Sequence, residues 1–261
     1  MGNFLEQTQS EKIGEGRFQA NISKDWEVWG PNGGYLSAIV FRAVGQHTNH
    51  TMPISFYGQY LSVADFGEAI VEVECIKPGR VAAAYTAKLI QNNRTVLQAQ
   101  IWVANTLEGL EHQYFEKPST FIPLTEATER PRHGPMKFWD NLNIRKGTMG
   151  DGRYSHWYKL TPTLDICDAF ADAARSVLLI DTMQWPATYH GNKSAPNYVA
   201  PSLDLSVRFH HTEAGTDWLF CDAIADIGAA GIVSGSASVW SENGNLVASG
   251  GSQSICRPLK K

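Results

Sequence analysis

The sequence predicts an α+β protein built from two tandem copies of one unit, each a central helix followed by antiparallel strands. Two observations carry this. Gly14-Glu15-Gly16-Arg17-Phe18 returns as Gly150-Asp151-Gly152-Arg153-Tyr154, 136 residues later. After each copy the apolar period runs at 3.6 and then changes to 2, the signatures of helix and strand in that order.

Each element follows from its own pattern. Phe18 to Trp29 and Tyr154 to Leu160 are extended aromatic segments. Leu36, Ile39, Val40, Ala43 and Val44 then fall at i, i+3, i+4, i+7 and i+8, and Phe170, Ala173, Ala174, Val177 and Leu178 repeat that set. Such spacing is the buried stripe of an amphipathic helix. Alternation follows in Ala69–Cys75 and Leu97–Val103, then in Leu203–Phe209, Leu219–Ala225 and Val233–Val239. Asn92-Asn93 and Asn243-Gly244 separate such runs and predict hairpin turns. Thr188 to Ala200, rich in Asn, Gly and Pro, predicts a loop. Glu116 to Gly147, with Pro118, Pro123, Pro131 and Pro135, predicts a connector. The chain thus divides into residues 1–115, a connector at 116–147, and residues 148–261. A helix with an apolar stripe buries it most directly on the sheet of its own half. A helix wrapped by a curved antiparallel sheet is the hot-dog fold, and two copies give a double hot-dog.

Composition narrows the function classes. With 43% hydrophobic and 18% charged residues the chain is globular. A net charge of −4 argues against a nucleic-acid partner. Cys75, Cys167, Cys221 and Cys256 are far apart and form no CxxC, so they are expected to be buried, reduced thiols of a cytoplasmic protein. The N-terminus has no apolar signal region, and the longest apolar stretch, Tyr35 to Val44, is too short to span a bilayer. No membrane partner is expected. No serine has Gly at both −2 and +2, there is no Walker A or HExxH sequence, and His210-His211 lacks companion ligands. Neither a metal nor a cofactor is expected.

One carboxylate stands out. Asp181 lies eleven residues beyond Phe170 on the same stripe, three helical turns plus roughly 20°. A carboxylate there loses hydration, and its pKa rises unless charges or donors compensate. It is either a functional acid or a cap for the helix end. The same step in the first half reaches His47, which is either an auxiliary site residue or a structural histidine. Among the tryptophans, Trp29, Trp102 and Trp185 are candidates to line an apolar pocket.

Three segments resemble a known family. Trp29-Gly30-Pro31-Asn32-Gly33-Gly34-Tyr35, Ser202-Leu203-Asp204 through Phe209-His210, and Leu246-Val247-Ala248-Ser249 through Gln253 resemble the type II acyl-CoA thioesterases of the double hot-dog class. The resemblance covers nearly the whole chain. It implies a water activated by an Asp on the second helix, a Thr or Ser opening the next strand, and a Gln on the last strand. These fall on Asp181, Ser202 and Gln253. It places Gly33, Gly34 and Tyr35 at the start of the first helix as substrate contacts; Trp185, from the candidate pocket tryptophans, is expected to join them in binding substrate. The chain departs from the pattern in having Ser202 for the usual Thr, Leu205 where His is common, and Ser254 where an acid often follows the Gln. Ser202 shares strand parity with polar Asp204, Ser206 and Arg208, so a bulge or strand-start twist has to turn it inward. Gln253 shares parity with Val247 and Ile255, which predicts an inward face.

The expected activity is cofactor-free hydrolysis of acyl-CoA or acyl-carrier-protein thioesters to acid and thiol. Its rivals are a non-catalytic acyl-thioester binding protein and a hot-dog hydratase or dehydratase, which needs an Asp-His or Glu-His pair. Outward Trp102 beside Gln98 and Gln100, and Ile70 beside Glu72 and Glu74, predict a homodimer. The alternative is that the connector covers those residues.

Overall fold

The computed structural model describes residues 2–131, 134–166, 168–212 and 216–259. The first half begins with α1 (Phe4–Thr8), β1 (Glu11–Gly14) and β2 (Arg17–Ile22). The helix α2 (Gly33–His47) follows, then β3 (Met52–Tyr60), β4 (Gly67–Lys77), β5 (Ala82–Gln91) and β6 (Arg94–Ala104). Short β7 (Glu129–Arg130), β8 (Leu142–Arg145) and β9 (Met149–Gly150) lead to β10 (Arg153–Leu160) and α3 (Ala169–Gly191). After β11 (Tyr198–Val199) come β12 (Asp204–Phe209), β13 (Trp218–Ala229), β14 (Ile232–Trp240), β15 (Leu246–Ile255) and β16 (Arg257–Pro258).

Among the described residues fourteen strands form one continuous antiparallel sheet, in the order β1-β2-β4-β5-β6-β3-β12-β15-β14-β13-β10-β8-β7, with β9 on β10. The order mirrors itself about the β3–β12 pair. On one side run β3, β6, β5, β4 and β2, and on the other β12, β15, β14, β13 and β10. The predicted repeat is therefore visible as a pseudo-twofold, and its two sheets are joined by hydrogen bonds from Asp204↔Gln59 to Arg208↔Ser55. At the β5–β6 turn, Asn92 and Asn93 both take positive φ (52° and 56°), the conformation a tight two-residue hairpin requires.

The two long helices, α2 and α3, lie on the concave side of this sheet and against each other. Asn32 caps α2 by accepting from Tyr35 N at 2.9 Å, and Asp168 caps α3 by accepting from Ala171 N at 2.7 Å. The apolar stripes read from the sequence are buried, together with Phe18, Phe56, Leu89, Ile101, Leu205, Val207 and Val239 of the sheet. The helices touch closely at Gly34, where a Cβ would stand 2.8 Å from Leu178 O and 2.9 Å from Leu178 Cα. Only glycine permits that approach.

The structure corrects three expectations. First, Thr188 to Gly191 are not loop, because α3 runs through Pro186 to Gly191. Met183 and Ala187 are fully buried, so core packing carries the helix past the proline. Second, of the cysteines only Cys221 is buried; Cys75 is exposed and Cys256 half-buried, while Cys167 lies outside the described residues. Third, the connector does not cover Trp102. Phe121, Ile122 and Leu124 instead pack on Trp157, Phe220, Trp240 and Leu246, a second small core on the outer face of the C-terminal sheet. Trp102 stays 41% exposed, with the Lys77 ammonium 5.5 Å above its ring.

Candidate active site

The carboxylate of Asp181 sits where both halves meet, 7% exposed. From β12's leading end, Ser202 Oγ donates to Asp181 Oδ1 at 3.1 Å. From the end of β3, Tyr60 OH donates to the same oxygen at 3.1 Å. The Gly34 backbone N–H, at the start of α2, is a third donor. Burial pushes the Asp181 pKa up to about 6, against the opposing pull of Ser202, Tyr60 and Gly34. The group is thus poised to exchange a proton near neutrality.

Register explains how Ser202 gets there. Ser206 lies opposite Gly251, yet Ser202 lies opposite Ser254. That is four steps along one strand against three along the other, the count of a β-bulge, which re-aims side chains. Ser202 also precedes β12 proper, so the polar parity of Asp204, Ser206 and Arg208 does not bind it.

Behind Tyr60 stands Ser37, fully buried on α2, with its Oγ 2.8 Å from the phenol oxygen. Because the phenol proton goes to Asp181, Ser37 is the donor in this pair. Burial and the neighbouring carboxylate hold the Tyr60 phenol well above its ordinary pKa, so it remains a donor. Asn32 Nδ2 donates to Thr182 Oγ1 at 3.0 Å, tying the start of α2 to the residue after Asp181. A Cβ on Gly33 would lie 3.1 Å from Asp181 Oδ2 and 3.1 Å from Tyr60 Cζ. The start of α2 therefore faces the carboxylate across a gap so narrow that a side chain on Gly33 would press on Asp181 and Tyr60.

Of the residues anticipated from sequence, the structure brings together Asp181, Ser202, Gly33 and Gly34. Trp185 lies one turn beyond Asp181 and makes edge contacts with Trp29 (6.0 Å) and Tyr189 (6.4 Å). Tyr35 is elsewhere: it is fully buried, stacks on Trp26 at 5.3 Å, and donates its hydroxyl to Gln7 O at 2.8 Å. Gln253 is also elsewhere. It points outward, with Nε2 donating to Ser234 Oγ at 3.2 Å, and lines a cavity of about 710 Å³ on the outer face. Its inward neighbour is Ser252, which is buried. His47 lies at the far end of α2, about 21 Å from Gly33 by helix rise, against Phe18 and Tyr85.

Sequence reasoning missed Tyr60 and Ser37. Tyr60 belongs to β3, whose period-2 signal is broken by Pro53 and by a register shift between Pro53 and Ser55. Ser37 lay in view, between apolar positions of α2, and only a partner in space gives it a role. Among the described residues no group of three or more His, Cys, Asp or Glu could hold a metal ion, and no helix is long and apolar enough to cross a membrane.

Two tandem hot-dog units with a buried, hydroxyl-bound carboxylate at their seam define the class as double hot-dog proteins. Residues 22–104 match the model of the acyl-CoA thioesterase N-terminal domain, and residues 111–254 that of the C-terminal domain. The chain belongs to the acyl-CoA thioesterase family and is a thioester hydrolase. Similar solved structures include a conserved hot-dog protein of unknown function from Alicyclobacillus acidocaldarius (18% identity, TM-score 0.86, 98% of each chain). Another is the acyl-CoA thioesterase II TesB2 of Mycobacterium marinum (14% identity, TM-score 0.83, 99% of each chain). The dehydratase domain from the CurJ module of the curacin polyketide synthase is more distant, at 12% identity and TM-score 0.57, covering 96% of this chain and 95% of that one. At these identities the likeness is one of fold. No curated protein matches the chain in sequence.

Proposed function

We propose that the enzyme hydrolyses acyl-CoA thioesters by direct attack of water, with Asp181 as general base. Water oxygen adds to the thioester carbonyl carbon while one of its protons passes to Asp181. The tetrahedral intermediate then collapses, the C–S bond breaks, and the leaving thiolate takes up that proton. Free acid and CoA thiol result. Ser202, Tyr60 and the Gly34 N–H orient the carboxylate, and the neighbouring Gly33 N–H at the start of α2 is the donor for the developing oxyanion. Trp185, one turn beyond Asp181 on α3, and Trp29 packed edge-on against it offer the acyl group an apolar wall. The observation that carries this reading is the buried Asp181 carboxylate, with Ser202 and Tyr60 on one oxygen, facing the start of α2.

A hydratase or dehydratase would need an imidazole beside the acid. Among the described residues Asp181's hydrogen-bond partners are two hydroxyls and a backbone N–H, and His47 is at the other end of α2. Thiol release from short, long and aryl acyl-CoAs and from an acyl-carrier-protein thioester tests the reading. Release from at least one, lost in Asp181→Asn, is expected. Folded protein that binds these thioesters and releases no thiol would instead favour the binding-protein alternative. We further propose a cytoplasmic homodimer paired through the outer face that carries Trp102. Light scattering at the 28.8 kDa chain mass over a wide concentration range would refute the pairing.

A further inference from the structure

Attack by water calls for a donor that holds the water oxygen, and Gln253 is not placed to supply one. In β15, Ser252 faces the helix and Gln253 faces away, opposite Ser234 in the register. A one-residue step along a strand moves a side chain to the other face of the sheet. No rotamer carries the Gln253 amide through the sheet to Asp181.

A buried side-chain amide is available on α3, the helix that carries the carboxylate. Gln184 follows Asp181 by three residues on α3, the spacing at which side chains are neighbours on a helix surface. It is 5% exposed. Its Oε1 accepts from Ser252 N at 3.1 Å and from Ser252 Oγ at 2.9 Å, and its Nε2 donates to Ile180 O at 2.8 Å. An amide nitrogen carries two hydrogens, so one Nε2 hydrogen is left over. The sheet is shaped around this side chain: Gly235 pairs with Ser252, and a Cβ on Gly235 would meet Gln184 Oε1 at 2.8 Å. The strand segment that fixes Gln184 also holds Ser202, through Leu203 N to Gln253 O at 2.7 Å and the Ser202↔Ser254 bridge.

We propose that Gln184 is the water-positioning amide of this enzyme: its remaining Nε2 hydrogen holds the attacking water oxygen while Asp181 accepts that water's proton. The amide reaches the site from the helix, and Ser252 on the last strand fixes its orientation. This inference rests on Asp181 being the general base.

Kinetics of variants on whichever acyl-CoA the wild-type enzyme hydrolyses test it. Gln184→Met keeps the length and removes the hydrogen-bonding amide. Its kcat is expected to fall roughly 10- to 100-fold with KM within about threefold, since the lost contact serves the reacting water. Gln253→Ala is expected to stay within about threefold of wild type, less than 1 kcal/mol of barrier. Transposing the pair, Gln184→Ser with Ser252→Gln, is expected to regain at least about tenfold over Gln184→Ser alone. Gln184→Glu keeps the acceptor for Ser252 should Gln184→Met fold poorly. It sets a second acid one helical turn from Asp181 and is expected to move the acid limb of kcat/KM to higher pH. Wild-type kcat in folded Gln184→Met, an unmoved limb in Gln184→Glu, or a loss in Gln253→Ala equal to that of Gln184→Met would overturn the assignment. Asp181→Asn separates the two levels. If it stays active, the base itself is wrong; if it is inactive while Gln184→Met is not, only the role of Gln184 falls.

Discussion

Asp181 is held in a state that folding alone would avoid, because its carboxylate binds a proton more tightly when buried than when free. Its folded pKa, near 6, lies above the unfolded value of 3.8. The stability it contributes is therefore fully present below pH 3.8 and is lost as pH rises through 6. Asp181→Asn should remove that penalty. Above pH 7 we expect a gain of about 1–3 kcal/mol, vanishing below pH 4, with kcat reduced roughly 10² to 10⁴. Paired thermal melts at the two pH values and an activity assay check both halves. Wild-type kcat/KM should show an acid limb near pH 6. Ser202→Ala and Tyr60→Phe each delete a donor to the ionised form, so both should shift that limb upward. Tyr60 is the titratable side chain that faces Asp181; α2 and β12 bring Gly34 and Ser202. A downward or absent shift would place the titration elsewhere. Asp181 was legible in sequence because helical periodicity is robust over three turns. Ser202 was legible only with the proviso of a bulge. The parity of Gln253 was not legible, because Ser252 and Gln253 are both polar and one residue decides which face each takes.

At the level of elements, the active site is a consequence of how closely α2 approaches α3. A methyl on Gly34 would meet the Leu178 backbone, which cannot give way locally. Gly34→Ala should therefore push the helices apart and destabilise the fold by about 1–3 kcal/mol. A methyl on Gly33 meets Asp181 Oδ2 and the Tyr60 ring at 3.1 Å, both side-chain atoms. Gly33→Ala should fall mainly on kcat, with a smaller loss of stability. Melting curves and kcat on the two variants test the split; reversal of the ranking would refute this account of the interface. The stripes of α2 and α3 were legible from spacing alone, and so was the change to strand period. The C-terminal end of α3 was not, because Pro186 and the Asn and Gly beyond it carry loop signals locally. Tertiary burial of Met183 and Ala187 overrides them. Strand β3 was hidden for the same kind of reason, and with it went Tyr60.

On the scale of the whole molecule, duplication allows one carboxylate to be served by both halves. The second half supplies Asp181 and Ser202, the first supplies Tyr60, Ser37 and the start of α2, and the β3–β12 pairing holds the two together. The concave face is thus committed to the site, while the outer face of the C-terminal sheet carries a clamp of its own. Asp222, buried there, accepts from Thr120 Oγ1 at 2.9 Å, from Arg153 Nη1 at 2.9 and 3.1 Å, and from Ser155 Oγ. Trp157 Nε1 adds a bond to Ile122 O at 2.9 Å, and Phe121 packs edge-on against Trp157 and Phe220. The connector is fastened at Thr120 through one carboxylate. Asp222→Ala leaves a buried serine, a buried threonine and a half-exposed guanidinium without their acceptor, a loss of about 2–4 kcal/mol. Its melting temperature should drop, and proteolytic cleavage should appear first within residues 111–131. Because the clamp and Asp181 lie on opposite faces of the sheet, kcat measured well below the new melting temperature should stay within about threefold of wild type. A collapse of kcat in protein that is still folded would show that the outer clamp is coupled to the carboxylate through the sheet. An unchanged melting temperature would show that Phe121 and Ile122 hold the connector without it.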